Sequence, residues 1–253
     1  MNTPLIIGHR GASAVAPENT MAAFREAIAV GADGIEFDVR LTRDGVPVII
    51  HDSTIRRTGG QPHRVGDLKW AEITKVDVGS WFSGSFANET IPSLEDLFSW
   101  FQSNDATLYL EMKCDAPAEF APLAEACSRA IKEHSLRDRV FVECFQLTAL
   151  RILREIDSDI NRVALFEPSL FSPSLFSDES VINKATDVGA AALALHHRLA
   201  SPQLIEKAKV AGMHVAVWTV DDPKWIKHAQ RIGIDALITN DPAKMIQLPQ
   251  NVL

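Results

Sequence analysis

Three short stretches of this chain concentrate residue types that do acid–base and metal chemistry. LIIGHR (5–10) closes an apolar run on His9 and Arg10. GIEFDVRLTRDGVPVIIHD (34–52) sets Glu36 and Asp38 two apart and ends on His51 and Asp52. TLYLEMK (107–113) ends on Glu111 and Lys113. Side chains two apart on a strand share a face. Glu36 and Asp38 therefore point the same way, opposite to apolar Ile35, Phe37 and Val39, and strand periodicity aims them inward. Two carboxylates buried side by side repel each other unless a cation lies between them. Glu111, with Lys113 two residues on, repeats the logic. Three oxygen donors with no Cys or His pattern among them point to a hard divalent ion, Mg²⁺ or Ca²⁺. The competing reading, acids on a solvated ribbon, sits poorly with the apolar residues between them.

His9 and His51 each end an apolar strand run, and both are candidate proton carriers near neutral pH. A lone histidine is more often a hydrogen-bonded core residue; two at strand ends beside acids favour chemistry. Arg10 and Lys113 are candidate phosphate grips, the first as a bidentate fork and the second as a point charge. Both could also pair with the neighbouring carboxylates. Trp218, in VAVWTVDD, is a candidate wall of the site, with core packing the alternative. His63, His134 and His228 read as solvated, His214 begins a strand at the far end, and His196 and His197 have no assigned role.

Positioning these side chains requires a scaffold that gathers strand ends. Apolar runs read as strands over 5–9, 34–42, 46–51, 107–112, 139–144, 162–166, 191–196, 214–219 and 236–239. Several are apolar at nearly every position, which suits parallel strands buried on both faces. Amphipathic segments between them predict helices near 20–30, 93–103, 117–134, 147–156, 179–188, 202–211, 222–232 and 242–247. Asn19 is the expected N-cap of the first and Gly31 its stop; Ser93 opens another with Glu95 and Asp96 in its first turn. The pattern is that of a (β/α)8 barrel, with one strand too many. A two-residue turn at Asp44-Gly45 resolves the count by folding 46–51 back antiparallel on strand two. That register would place His51 opposite Asp38. A parallel crossover is disfavoured, since only a few residues are available for it. Residues 52–92, rich in glycine and aromatics, read as an insertion or small lid over the mouth, where such barrels build their sites.

Composition narrows the function further. The 253 residues suffice for one large domain, and the net charge of −8 carries no basic block. A nucleic-acid groove is therefore not expected, and an anionic substrate would have to be gripped locally. Three cysteines without a CxxC pair fit a reduced setting better than a disulfide framework. No leader-like start and no membrane-length apolar run is seen, so a cytoplasmic location without stable membrane association is expected.

HRGASAVAPENT (9–20), EFDVRLTRDGVPVIIHD (36–52), LEMK (110–113), VWTVDD (217–222) and GIDALITNDP (233–242) together resemble the glycerophosphodiester phosphodiesterase family, in order and over almost the whole chain. The resemblance implies a TIM barrel of the phospholipase C-like type, in its compact cytoplasmic form. It implies hydrolysis of glycerophosphodiesters to sn-glycerol 3-phosphate and an alcohol. It assigns His9 and His51 as acid and base, Glu36, Asp38 and Glu111 as metal ligands, and Arg10 and Lys113 as phosphate-binding residues. Where the family often has an SFD-like stretch, this chain has Cys144-Phe145-Gln146; Phe145 is kept as a wall of the substrate site and its polar neighbours differ. The expected mechanism is two-histidine catalysis through a cyclic phosphate. The rival readings are a lysophospholipase D acting on acylated substrates and a barrel that binds phosphodiesters without cleaving them.

Overall fold

The computed structural model describes residues 3–168 and 177–246. The last residue of the helix expected over 242–247 lies outside them.

The barrel strands are β1 (Leu5–His9), β2 (Gly34–Leu41), β4 (Thr107–Met112), β5 (Val140–Cys144), β6 (Asn161–Phe166), β7 (Ala192–His196), β8 (His214–Trp218) and β9 (Ala236–Thr239), with a short β3 (Pro47–Ile49) beside β2. They run in the order β1-β9-β8-β7-β6-β5-β4-β2, and β1–β2 pairing closes the ring. All eight contacts around the ring are parallel; β3 alone is antiparallel. This is a (β/α)8 TIM barrel with one extra strand, as the apolar runs predict. Helices follow the strands: α1 (Met21–Ala29), α4 (Leu94–Phe101), α5 (Phe120–Glu133), α6 (Leu147–Ile156), α7 (Asp178–Asp187), α8 (Pro202–Val210), α9 (Lys224–Ile232) and α10 (Pro242–Ile246).

Alternation along the strands divides the apolar side chains between two cores. Outward residues such as Ile35, Phe37 and Val39 pack beneath the helices, where Phe37 meets Phe24 and Phe98 edge-on at centroid distances of 6.0 and 6.5 Å. Truncating a ring so enclosed costs about 3–5 kcal/mol. Inward residues Ile7, Tyr109, Val163, Leu165, Ala192, Ala194, Ala216, Ala236 and Ile238 fill the barrel itself and form a floor. The inward positions of β2, β4 and β5 are charged above that floor, so the chemistry is confined to one sector.

Three local expectations change. The hairpin pairs Val39 with Ile49, Arg40 with Val48 and Leu41 with Pro47, one residue out of the expected register. Its loop holds Arg43, Asp44 and Gly45: Val46 O accepts from Thr42 N, Thr42 O accepts from Gly45 N, and Gly45 has φ +77°. A third loop residue in the left-handed region gives a turn with a bulge in place of the two-residue turn. Asp38 consequently lies opposite Ile50, whose N–H donates to the Asp38 carbonyl, and His51 follows beyond the ladder. The N-cap of α1 is Thr20, whose hydroxyl accepts from Ala23 N. Asn19 is freed from capping and has φ +58°. Gly31 does follow the helix end at φ +92°, and Ser93 caps α4 in a reciprocal box with Asp96. His134 is not solvated: its side chain is 7% exposed, hydrogen bonded to Glu95 and packed on Phe98.

The 52–92 segment builds α2 (Arg56–Gly59), α3 (Trp70–Ile73) and its own small core of Ile55, Val65, Ile73, Val76, Val78 and Ile91 against Val48 and Ile50. Burying these aliphatic side chains, at about 1.5–3 kcal/mol each, holds the insertion on the hairpin. Among the described residues no helix is long and apolar enough to cross a membrane.

Candidate active site

The acidic residues lie side by side because parallel strands in register align their inward positions. Asp38 on β2 is opposite Glu111 on β4, and Glu111 is opposite Glu143 on β5. Glu36 lies two residues before Asp38 and opposite His9 on β1. Glu36, Asp38, Glu111 and Glu143 are all buried, whereas His9 beside Glu36 is half-buried and open to the cavity.

The HRG turn aims the first histidine. Arg10 has φ +54° and Gly11 φ +83°. A side chain on Gly11 would meet the Ala23 backbone at 2.6 Å, so only glycine fits. The left-handed Arg10 stores backbone strain, and the turn directs its N–H to Glu36 Oε2 at 3.0 Å. His9 Nε2 lies 3.9 Å from the same oxygen. His9 Nδ1 is 2.7 Å from Asn240 Oδ1; Asn240 Nδ2 donates to Asp221 Oδ2 at 2.8 Å. That donation fixes the carboxamide, so Nδ1 of His9 carries the hydrogen and Nε2 its lone pair. Burial first, then Arg10, pushes the His9 pKa down to about 4. His51 Nδ1 is 2.7 Å from Asp52 Oδ1, which leaves Nε2 for the cavity. Burial lowers its pKa too, against the opposing pull of Asp38.

Asp38 is the most heavily partnered acid. Arg10 Nε and Lys113 Nζ each lie 3.2 Å from it, and Asn19 Nδ2 donates to it at 2.8 Å. Although burial would raise its pKa, Lys113 and Arg10 hold it well below the usual carboxylate range. Lys113 also reaches Glu111 at 2.7 Å. The other three acids converge: oxygens of Glu36, Glu111 and Glu143 lie within 4.8 Å of one another. Glu143 Oε2 is buried with no hydrogen-bond partner. Burial pushes Glu36 and Glu143 well above their ordinary pKa and Glu111 up to about 7, with neighbouring carboxylates adding to each. With all four carboxylates ionised, the two cations Arg10 and Lys113 would leave two negative charges, a deficit that one divalent ion would neutralise and that protons otherwise meet.

These groups surround a cavity of about 340 Å³ lined by His9, Arg10, Glu36, His51, Glu111, Lys113 and Glu143, with Phe145, Leu165, Glu167, Trp218 and Ile238 completing the wall. Phe145 and Trp218 meet edge-on at 5.6 Å, and Lys113 Nζ stands 5.8 Å from the Phe145 ring. Gln146 is not part of the lining; its N–H donates to Cys144 Sγ. His196 meets Trp218 edge-on at 5.2 Å, whereas His214 is exposed at the opposite end. Every candidate picked from the sequence thus lines the cavity or, for Asp38, is held directly beside it.

Sequence reasoning missed Glu143, Asn19, Asn240 and Asp221. Glu143 had a signal, a lone acid in the apolar strand VFVEC, one strand along from Glu111. Asn19, just before an amphipathic segment, reads as a helix cap. Asn240 and Asp221 belong to motifs noted above, but only the closed ring brings β8 and β9 beside His9.

Residues 9–244 match the model of the glycerophosphoryl diester phosphodiesterase family. The chain belongs to that family. It is accordingly a phosphodiesterase. A glycerophosphodiester phosphodiesterase of Caldanaerobacter subterraneus subsp. tengcongensis is 34% identical, over 96% of this chain and 97% of its own. Among solved structures, an Oleispira antarctica phosphodiesterase in complex with the product sn-glycerol-3-phosphate superposes with a TM-score of 0.85 at 28% identity, covering 96% of this chain and 95% of the other. An Agrobacterium tumefaciens glycerophosphodiester phosphodiesterase superposes with a TM-score of 0.80 at 26% identity, covering 96% and 98%.

Proposed function

We propose that this member of the family hydrolyses glycerophosphodiesters to sn-glycerol 3-phosphate and an alcohol, with His9 and His51 as proton carriers and a divalent cation in the acidic cluster. One observation carries the reading: two imidazoles face one cavity walled by buried carboxylates whose charge two local cations only half offset. The donor set is all oxygen and net negative, which fits Mg²⁺ or Ca²⁺. Glu36, Glu111 and Glu143 would hold the ion, with Asp38 beside them; when bound it supplies Lewis-acid charge at a phosphoryl oxygen.

The residues divide the remaining work. Arg10 and Lys113 line the cavity beside the acids and offset charge growing on the phosphoryl oxygens. His9, with Nε2 unprotonated, accepts the proton of the glycerol 2-hydroxyl as that oxygen bonds to phosphorus. His51, whose imidazolium the Asp52 carboxylate stabilises, donates a proton to the departing alcohol oxygen as its bond to phosphorus breaks. Water then attacks the cyclic phosphate: His51 takes its proton, and His9 returns one to the 2-oxygen. Phe145 and Trp218 form the apolar wall against which the substrate carbons rest.

The test is release of sn-glycerol 3-phosphate from a panel of glycerophosphodiesters, after EDTA treatment and with Mg²⁺ or Ca²⁺ restored. The proposal expects turnover only with the cation. Preference for acylated substrates would move the assignment to a lysophospholipase D. Binding without cleavage across the panel would refute the catalytic reading.

A further inference from the structure

We infer that Arg57, supplied by the 52–92 insertion, is a positioning residue that locks His51 through Asp52 and ties it to the loop carrying Arg10. Its guanidinium donates along two edges. Nε and Nη2 reach the two Asp52 oxygens at 2.8 and 3.2 Å, while Nη1 and Nη2 reach the two Glu18 oxygens at 2.7 and 2.8 Å. Asp52 Oδ1 in turn faces His51 Nδ1 at 2.7 Å, and Glu18 Oε1 accepts from Arg10 Nη1 at 2.8 Å. One planar cation thereby joins the loops that follow β1 and β3.

The geometry requires arginine rather than any positive charge. Asp52 is about 30% exposed, and a carboxylate that open can rotate and carry the imidazole with it. A fork bonded to both of its oxygens fixes the carboxylate plane, and so the ring; a lysine would contact it as a point charge. The insertion holds Arg57 from below. Ile55 and Thr58, on either side of it in sequence, are buried, and Ile55 is part of the insertion's own core. The α2 turn ends at Gly60, with φ +70°. Arg57 itself does not line the cavity, so its effect passes through the residues it braces, His51 by way of Asp52 and Arg10 by way of Glu18. The insertion thus has a task of its own, which is to brace a proton carrier.

This inference rests on the reading of His51 as a proton carrier, and the experiment separates the two. Arg57→Gln and Arg57→Lys are compared with the exposed neighbour variant Arg56→Gln for kcat and KM, and the His51 ring nitrogens are followed by ¹⁵N NMR. Misorientation of a catalytic group costs up to about a hundredfold. The expectation for Arg57→Gln is a fall in kcat of about ten- to a hundredfold with KM within about twofold, and a mixture of His51 tautomers in place of one. Arg57→Lys recovers only part of kcat, and Arg56→Gln matches the parent. Parental kcat and a single His51 tautomer in Arg57→Gln would overturn the inference, leaving Arg57 a stabiliser of the insertion. Should Arg57→Gln fail to fold, the same two readings on Arg57→Lys decide. Full activity of His51→Ala would instead overturn the underlying catalytic scheme.

Discussion

Glu111 offers a way to weigh the acidic cluster by titration. Its pKa rises from an ordinary 4.5 to about 7, chiefly through burial, with Lys113 pulling the other way and Asp38 adding to the rise. The folded state therefore holds this proton more tightly than the unfolded chain does. The sign follows: the group favours folding below the unfolded value, and that contribution is lost as pH climbs toward the folded one. A shift of this size is worth roughly 3 kcal/mol in all, of which about 2.5 kcal/mol falls between about pH 5 and pH 8. His9 runs in the opposite sense: burial pushes its pKa from 6.5 down to about 4, so its stabilisation is lost as pH falls from about 6.5 toward 4, a window that overlaps the first. Whole-protein pH profiles would mix the two. The comparison is therefore between the parent and Glu111→Gln, unfolded in urea after EDTA treatment. The His9 contribution cancels in the difference, and the loss of the Lys113 contact adds only a pH-independent offset. The variant should gain on the parent by about 2.5 kcal/mol from about pH 5 to pH 8. Millimolar Mg²⁺ or Ca²⁺ should restore the parent at the higher pH, because an ion that binds only the folded cluster stabilises it by mass action. A difference that stays flat with pH would refute the claim that a buried carboxylate, only partly compensated by Lys113, sits at this position.

Three further outcomes are expected. His9→Ala and His51→Ala should each lower kcat by about 10²–10⁴-fold while leaving cation binding, followed by calorimetry, intact; parental rates in either would remove that histidine from the scheme. Lys113→Met should destabilise the protein by about 3–5 kcal/mol in urea unfolding, because Asp38 and Glu111 both lose a buried partner; a loss below about 1 kcal/mol would mean these pairs are solvent-screened. A diester lacking the glycerol 2-hydroxyl should bind and not turn over, and its hydrolysis at a comparable rate would exclude the cyclic route.

The barrel was legible because its strands announce themselves twice. VAVW and ALIT are apolar on both faces, as parallel strands between a filled interior and a helical coat must be. The inward carboxylates were legible because a charge at every second position of GIEFDVRL breaks that rule in only one direction. The hairpin register was not: Asp44-Gly45 reads as a two-residue turn, and only the hydrogen bonds from Thr42 and Gly45 show that Arg43 belongs to the loop. Asn19 was absorbed by local logic, since an Asn before an amphipathic segment is an ordinary cap. Its contact with Asp38 reaches across the whole of α1 and leaves no periodic trace. The same holds for Asn240 behind His9 and for Arg57 behind His51. Residues that orient others are fixed by three-dimensional adjacency, whereas residues that line a strand face are fixed by spacing.

The central claim is that one hard divalent cation sits among Glu36, Glu111 and Glu143, beside Asp38 and within the cavity that both imidazoles face. Crystals soaked in Mn²⁺ and measured at its absorption edge test this directly. One strong anomalous peak bounded by those carboxylates is expected, with Glu143 contributing its otherwise unpartnered oxygen. A map with no peak there, and Lys113 still bridging Asp38 and Glu111, would contradict it.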